Sequence, residues 1–402
     1  MTRLPHEFGT SPACSRYTRR VRIVVAPDSF KESIGAIAAS RAIARGLLAA
    51  RPGADIDRCP VGDGGEGTLD AVLDAIGGET HAVQVSGPLG NPVQGVIGLF
   101  PERNFAWVEC ASATGLALLP SSRRDPGKTS STGVGELITA ALDTGARRIV
   151  VGVGGSATND GGCGMAQALG VTFHDSRGNE ISEPLCGERL VSVASIDLSR
   201  RDARLGQVEV IAACDVSNPL TGVDGASLVY APQKGASRER AVELDAALQH
   251  LVAVVQHDLG IDIDSMPGAG AGGGLGAGLL AFADAKLVSG IDIVLDLVGF
   301  DELVAGADLC ITGEGRIDGQ SVYGKACMGV ARAAQQCGVH TIALVGSAGD
   351  DADRCLAAGL RGYVVIAPEL PPEQSMADAE RLLEQAAALL ARQFTANDRT
   401  MT

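Results

Sequence analysis

The chain has 402 residues and a formal net charge of −15, with 46% hydrophobic and 20% charged residues. This composition is typical of a globular protein of about two or three domains, and the acidic balance argues against nucleic acid as a main partner. No apolar run reaches the ~18 residues needed to span a bilayer, so we expect no membrane partner. Ten scattered cysteines without a C-x-x-C pair indicate a reduced protein, and we expect a cytoplasmic location.

The first elements along the chain predict a unit of parallel strands. Residues 1–19 are polar and are expected to form a disordered extension. After them, apolar runs and helical periodicity predict a strand, a helix, a strand and a helix in that order. These elements cover 21–26, 33–51, 56–61 and 67–76.

The pattern changes after this unit. Residues 82–116 consist of short alternating runs broken by Gly-Pro and Asn-Pro turns, which predicts a β-meander and a domain boundary near residue 80. Helices and strands then alternate up to a long predicted helix. The predicted helices are 135–144, 164–169 and 236–257, and the predicted strands are 148–153 and 208–214.

The last hundred residues again alternate between helix and strand. The simplest architecture therefore has both chain ends in one sheet, with the middle of the chain inserted as a second α/β domain. The predicted helices are 294–305, 324–336, 351–358 and 374–394, and the predicted strands are 307–312, 341–345 and 362–366.

Glycine is unusually frequent and is clustered. The chain has 53 glycines, concentrated at 62–67, 152–164, 268–278 and 313–319. Three of these clusters directly follow a predicted strand, the position at which open α/β sheets bind ligands. Glycine permits close backbone approach to a ligand, and the N–H groups of a following helix favour an anion such as phosphate.

Three of the clusters also contain carboxylates, namely Asp63 with Glu66, Asp160, and Glu314 with Asp318. Near phosphate, such acids hold Mg²⁺ or orient a hydroxyl nucleophile. The alternative is that Asp and Gly are ordinary turn formers. The recurrence over four clusters favours a site.

Two familiar nucleotide motifs are not supported. Gly268, Gly270 and Gly273 match G-x-G-x-x-G formally, but they follow a predicted turn where the dinucleotide fingerprint requires a strand. A Walker-type G-x-x-x-x-G-K-[ST] sequence does not occur. A glycine-rich cradle for nucleotide phosphate remains compatible with the sequence.

Further polar groups follow predicted strands. Asp28, Ser29 and Lys31 follow the first strand, while Asp215 and Asn218 follow the strand ending near 214. Such an Asp either serves the site or caps the next helix. Lys234, Lys325 and the polar stretch 128–132, which contains Ser131 and Thr132, are further candidates for binding phosphate, although 128–132 could equally be a helix N-cap.

No histidine lies in a motif, so a histidine-based nucleophile system or zinc site is not favoured. Acids, lysines and glycine backbone suit phosphoryl transfer, which needs positioning, electrostatics and a hard metal.

Taken together, these motifs resemble the bacterial glycerate kinase family that acts in glucarate, galactarate and glyoxylate breakdown, and in particular its glycerate 2-kinase-like members. The resemblance covers about residues 20–395, with the matching segments in the expected order. They are IVVAPDSFKES (23–33), PVGDGGEGT (60–68), SGPLGNPV (86–93), SSTGVGELI (130–138), VGVGGSATNDGGCGMAQALG (151–170), ACDVSNPLTG (213–222), YAPQKGA (230–236), PGAGAGGGLGAG (267–278) and DLCITGEGRIDGQSVYGKA (308–326).

The resemblance implies two α/β domains with the active site in the cleft between them. One would be a flavodoxin-like three-layer domain with a parallel sheet, built from 20–80 and 295–402, and the other would be an inserted α/β domain over 81–294. The implied reaction transfers the γ-phosphoryl group of ATP to D-glycerate with Mg²⁺, giving 2-phosphoglycerate rather than 3-phosphoglycerate. The residues themselves do not distinguish the two hydroxyls, and they leave the oligomeric state open, a homodimer included.

On this resemblance, Asp215 is expected to be the general base or the hydroxyl-orienting acid, with Asp28 as its competitor, and Lys31 and Lys325 would neutralise phosphate or the substrate carboxylate. The metal candidates are Asp63, Glu66, Glu314 and Asp318. The residues expected to bind substrate or nucleotide are Ser29, Ser131, Thr132, Gly154, Gly155, Ser156, Asn159, Asp160, Asn218, Lys234, Gly270, Gly272, Gly273 and Gly274.

Two other functions fit parts of the sequence. Gly274-Leu275-Gly276 is reminiscent of GHMP-type small-molecule kinases, but Ala277 and Gly278 stand where serines normally follow. A non-catalytic regulator that binds a nucleotide or sugar acid would keep the glycine loops but could lose the acids, which are all present.

Overall fold

A computed structural model describes residues 20–323 and 325–393, so the predicted N-terminal extension lies outside the described residues. The strands, in chain order, are β1 (Arg22–Pro27), β2 (Asp55–Arg58), β3 (Glu79–Ser86), β4 (Pro92–Phe100), β5 (Phe105–Glu109), β6 (Arg148–Gly152), β7 (Thr172–His174), β8 (Ser195–Asp197), β9 (Glu209–Ala213), β10 (Lys286–Val288), β11 (Leu309–Ile317), β12 (Thr341–Ala348) and β13 (Gly362–Val365).

The helices are α1 (Ala36–Ala50), α2 (Thr68–Ile76), α3 (Cys110–Thr114), α4 (Thr132–Asp143), α5 (Cys163–Ala168), α6 (Ala226–Tyr230), α7 (Arg238–Leu259), α8 (Ala271–Ala283), α9 (Gly290–Val298), α10 (Phe300–Val304), α11 (Ala326–Gln336), α12 (Arg354–Ala357), α13 (Pro372–Ala377) and α14 (Ala379–Gln393). Among the described residues, no helix has both the length and the apolar character needed to cross a bilayer.

The first sheet joins both ends of the chain. Its five strands are all parallel, in the order β13-β12-β11-β1-β2. Read from the β2 edge, this is the 2-1-3-4-5 order of flavodoxin-like folds. The apolar run that predicted the first strand is buried along β1, as expected of a parallel sheet covered on both faces.

The second sheet has six strands in the order β10-β9-β6-β5-β4-β3. Strands β3, β4 and β5 pair antiparallel, so the predicted meander is confirmed, while β5, β6, β9 and β10 pair in parallel. The mixed α/β architecture predicted from the sequence is therefore present. Strands β7 and β8 form a separate two-stranded ribbon.

One hydrophobic core is shared between the two sheets. Val24 of β1, Trp107 of β5 and Val150 of β6 belong to the same buried cluster, together with Ile291 and Val294 of α9. This core brings the carboxyl-end loops of the two sheets close to each other, which is the arrangement that the site requires.

Three predicted elements need correction. The helix predicted over 374–394 is two helices, α13 and α14, because α13 ends with Asp378 as its C-cap. The strand predicted over 307–312 runs on to Ile317, because Glu314 pairs with Val345 and Ile317 pairs with Ala348 on β12. The fourth glycine cluster therefore lies largely within a strand instead of following it. The helix predicted over 294–305 is two helices, since Gly299 between them has φ +65°, a left-handed conformation that breaks the helix.

Candidate active site

Adjacent strands of the first sheet bring two carboxylates together. Pro27 of β1 pairs with Gly313 of β11, so Asp28 and Glu314 follow at the same sheet edge. The main-chain N–H of Asp28 donates to the carbonyl of Gly313 at 2.9 Å, and the side chain accepts from the N–H of Ser29 at 2.6 Å. Asp28 and Glu314 are both buried.

Asp63 interacts with acids from both sheets. It lies in the loop between β2 and α2, and its charge raises the pKa of Asp28, of Glu314 and of Asp215. Its Oδ2 lies 4.0 Å from Nζ of Lys31, whose side chain is largely exposed. The sequence predicted each of these groups separately, and the tertiary structure brings them together.

Burial and mutual repulsion both act on this group of acids. Burial, followed by the charge of Asp63, raises the pKa of Asp28 well above its ordinary value. Burial raises the pKa of Glu314 to about 7, even though Lys325 opposes the shift. Oε1 of Glu314 is also buried without a hydrogen-bond partner among the described residues. A buried group of like charges with an unsatisfied oxygen favours a cation or a hydrogen-bond donor beside it.

Among the described residues, Lys325 is the nearest cation to Glu314. Its Nζ lies 3.5 Å from Oε2 of Glu314 and 3.9 Å from Oδ1 of Asp318, and it donates to the carbonyl of Arg316 at 3.2 Å. Partial burial of Asp318 acts to raise its pKa, but Lys325 and Arg316 outweigh burial and hold the pKa below its ordinary value.

Asp215 comes from the second sheet, just after β9. It accepts hydrogen bonds from Oγ of Ser289 at 2.8 Å and from the N–H of Ile291 at 3.1 Å, so it caps the start of α9. Burial, followed by the charge of Asp63, raises the pKa of Asp215 to about 8 in spite of these bonds. The prediction that Asp215 caps the next helix, α6, is wrong, because the helix that it caps is α9. Its role in the site stays a prediction.

An open cavity of about 360 Å³ lies beside Asp215. Its walls come from the segment after β9, from β10, from the start of α9 and from Arg332 of α11. Apart from Asp215, none of its residues is among the site residues predicted from the sequence, because most of them are apolar or lie in ordinary loops.

Glu66 lies apart from this group. It is exposed, and its charge acts on Glu109, a residue that the sequence analysis missed. Glu109 ends β5 and accepts from the N–H of Gly67 at 2.7 Å, which fastens the Asp63 loop to the second sheet. Burial raises the pKa of Glu109 to about 7. An acid at a strand end was the signal that could have found it.

Ser131 and Asp160 form a buried network of their own. One oxygen of Asp160 accepts from both the N–H and Oγ of Ser131 at 2.7 Å, and also from the N–H of Gly164. This network joins the starts of α4 and α5. Neighbouring Thr132 is hydrogen-bonded to Ser130 through their hydroxyls at 2.8 Å.

Lys234 is buried and supports the second glycine cluster. Its Nζ donates to the carbonyl of Thr158 at 2.7 Å and lies 3.4 Å from Oγ of Ser156. Burial lowers its pKa to about 8. Asn159 beside it donates to Ser227 at 2.9 Å, and its Oδ1 is buried without a hydrogen-bond partner among the described residues.

The glycine loops pack against one another. A Cβ at Gly273 would lie 1.9 Å from the carbonyl oxygen of Thr158, and one at Gly274 would lie 2.8 Å from Cα of Gly161. Gly272 likewise faces the carbonyl of Val153. These positions have positive φ, so glycine is required there for packing as well as for conformation. The phosphate-cradle role of these loops stays a prediction.

Most of the remaining predicted binding residues lie in or near these loops. Gly154 packs on Gly65, Gly155 on Ala111 and Gly270 on Pro219. Asn218 donates from Nδ2 to the carbonyl of Asp224 at 2.8 Å and accepts from Tyr230 at 2.6 Å. Ser29 lies next to Asp28 and donates its N–H to it.

The donor set fits Mg²⁺ held jointly with phosphate. Within the described residues, no group of three or more His, Cys, Asp or Glu side chains is placed to hold a metal ion by itself. Mg²⁺ is usually bound by one or two carboxylates together with substrate phosphates, so such a cage is not required. The unpartnered Glu314 oxygen and the repulsion from Asp63 are consistent with this kind of binding.

Comparison with known proteins identifies the family. The model of the glycerate kinase family matches residues 23–395. The chain is 48% identical to the glycerate kinase of Halalkalibacterium halodurans over 92% of this chain and 97% of that protein. It is 46% identical to the glycerate 2-kinase of Escherichia coli over 82% of this chain and 86% of that protein.

This chain belongs to the glycerate kinase family. A crystal structure described as glycerate kinase 2 from Salmonella typhimurium LT2 superposes with a TM-score of 0.80 at 42% identity, covering 95% of this chain and all of that one. The chain is therefore a kinase enzyme that acts on small molecules, and the resemblance seen in the sequence is confirmed.

Proposed function

We propose that this protein transfers the γ-phosphoryl group of ATP to D-glycerate and releases 2-phosphoglycerate. The observation that carries the proposal is the position of Asp63, which interacts electrostatically with Asp28 and Glu314 of the first sheet and with Asp215 of the second. Phosphoryl transfer requires this kind of acidic site with cations beside it. The name of the Escherichia coli relative supports the 2-hydroxyl as acceptor.

Asp215 is our choice for the general base. Its raised pKa of about 8 lets it accept the hydroxyl proton of glycerate, and its bonds to the start of α9 fix its orientation. Asp28 is the competing acid, since it is also buried and faces Asp63. Lys31 and Lys325 stand beside the acids and would neutralise the phosphoryl group or the substrate carboxylate.

Asp63 and Glu314 are the residues that would hold Mg²⁺, which neutralises charge on the transferring phosphoryl group when bound. The exposed position of Glu66 and the ion pairs of Asp318 with Arg316 and Lys325 give those two acids less support as ligands. In this proposal Ser131, Asp160 and Lys234 act indirectly, by holding the glycine loops in place.

The division into two sheets supports a two-domain arrangement with boundaries near residues 80 and 295. Strands β1, β2, β11, β12 and β13 form one sheet, while the six-stranded sheet is built wholly from strands between Glu79 and Val288.

The family match favours this function over a GHMP-type kinase or a non-catalytic regulator.

The test is an assay that couples ADP release to a spectroscopic signal, with D-glycerate, ATP and Mg²⁺. We expect turnover that depends on all three and is abolished by EDTA. L-glycerate and glycolate serve as matched substrates that lack the correct configuration or the second hydroxyl. ³¹P NMR of the product distinguishes 2-phosphoglycerate from 3-phosphoglycerate. No turnover with D-glycerate would refute the proposal.

A further inference from the structure

The cavity beside Asp215 adjoins the acidic site. Asp215 lines the cavity, and the same residue interacts electrostatically with Asp63. A Cβ at Gly290 would lie 2.3 Å from the carbonyl oxygen of Asp63 and 3.0 Å from Oδ2 of Asp215, so Gly290 is in contact with both residues. A ligand in this cavity would therefore have one end next to the acidic site.

Five of the ten residues that line the cavity are apolar, Cys214 included. Val216 and Pro267 come from loops, and Leu287 and Val288 come from β10. These apolar residues suit a flat, weakly polar ring system.

The polar groups of the cavity belong to Ser217, Asp292 and Arg332, besides Asp215 and Ser289. Arg332 of α11 pairs with Asp292 of α9 at 3.4 Å, with both side chains about half exposed. Ser217 is exposed. A few polar groups beside apolar walls are typical of pockets that orient a ligand through its hydroxyl and amino groups.

The volume also favours a ligand larger than glycerate. Pockets for ligands of drug size measure about 300–1,000 Å³, and the volume of about 360 Å³ falls within that range. A three-carbon acid would leave most of this space unfilled. A nucleoside would fill it, with its phosphates directed toward Asp63.

We propose that this cavity binds the base and ribose of the nucleoside triphosphate donor, with Val216, Leu287 and Val288 against the base. The proposal rests on the proposed function, because it takes the acids near Asp63 as the phosphate end of the same site. It assigns nucleoside binding to Val216, Leu287 and Val288, which are not among the site residues predicted from the sequence.

The experiment measures ADP binding by isothermal titration calorimetry, which needs no turnover, together with the KM values for ATP and D-glycerate. Ser217→Trp fills the cavity from an exposed position, and Leu287→Trp fills it from the strand side. Ser192→Trp is the matched control, since Ser192 is exposed and does not line the cavity. Circular dichroism establishes that each variant is folded.

We expect the Kd of ADP and the KM of ATP to rise at least about tenfold in both cavity variants, which corresponds to ~1.4 kcal/mol. The KM of D-glycerate should stay within about twofold, and Ser192→Trp should behave like the wild type. Unchanged ADP affinity in the folded variants would overturn the proposal. So would a rise confined to the KM of D-glycerate, which would make the cavity the acid-binding site.

The two proposals fail in different ways. If the wild type binds ADP and Ser217→Trp weakens that binding, the cavity assignment holds even where D-glycerate is not phosphorylated. If D-glycerate is phosphorylated but the variants bind ADP normally, the proposed function holds and the cavity assignment is refuted.

Discussion

Gly290 is packed directly against the main chain of Asp63: a Cβ added to Gly290 would lie 2.3 Å from the Asp63 carbonyl oxygen. This contact joins the acidic loop after β2 to the first residue of α9. The helix begins beside Asp215, so one glycine sets the separation of acids that belong to different sheets.

Replacement of Gly290 by alanine should therefore disturb the site as well as the packing. We expect the free energy of unfolding to fall by about 1–3 kcal/mol, as at other overpacked positions. We expect kcat to fall as well, because the separation of the acids changes. Gly206→Ala is the control, because a Cβ there meets nothing within 4 Å. Normal kcat in a destabilised Gly290→Ala would show that the contact only supports the fold.

Asp215→Asn tests the general base. The amide keeps the shape of the carboxylate but cannot accept a proton, so we expect kcat to fall by about 10²–10⁴-fold with an unchanged circular dichroism spectrum. Asp224→Asn, at an exposed position in the following loop, is the matched control. Near-normal turnover would contradict this role for Asp215. The general base would then be Asp28, and Asp28→Asn would test it.

The same assignment predicts a pH profile. The base must be ionised, and burial raises the pKa of Asp215 to about 8, so kcat/KM for D-glycerate should rise as the pH increases through that value. This rise of kcat/KM with pH should be absent in Asp215→Asn. A profile that is flat from pH 6 to 9 in the wild type would contradict the assignment.

Lys325→Gln removes the cation nearest to Glu314. We expect kcat to fall by about a hundredfold, because the charge on the transferring phosphoryl group and on Glu314 loses its partner. Lys286→Gln is the matched control, as Lys286 forms an exposed ion pair with Glu209 at 2.9 Å. Equal losses in the two variants would argue against a specific role for Lys325.

Glu109→Gln should change how stability depends on pH. Burial raises the pKa of Glu109 from 4.5 to about 7, so its neutral form is favoured in the folded state. That contribution to stability is complete below about pH 4.5 and is lost as the pH rises through 7. As the pH rises from about 4.5 to 7, the Tm of the variant should fall less than the Tm of the wild type. Exposed Glu102→Gln is the control and should retain the wild-type slope.

Gly273→Ala tests whether the glycine loops are held by packing. A Cβ would lie 1.9 Å from the Thr158 carbonyl oxygen at φ +74°, so we expect a loss of about 3 kcal/mol or more in urea unfolding. Gly260→Ala shares a positive φ of 70° but has open space around its Cβ. It should lose only about 1 kcal/mol from backbone strain, and equal losses in the two variants would contradict a packing role.

The α/β class, the order of most elements and the individual acids all follow from local sequence patterns. These features are local, because apolar runs predict strands, and an acid after a strand, such as Asp28 or Asp215, can be recognised without knowing its neighbours. The family motifs were likewise readable along the chain.

Which of these residues come into contact depends on how distant segments of the chain pack together. Asp28 and Glu314 are almost three hundred residues apart and become neighbours through the pairing of β1 with β11. Glu109 belongs to the second sheet, and it holds the Asp63 loop by accepting a hydrogen bond from the N–H of Gly67. The surplus of glycine has a tertiary reason as well, since the main chain of Gly273 must fit against that of Thr158. Such contacts depend on distances between segments remote in sequence, and no local pattern encodes them.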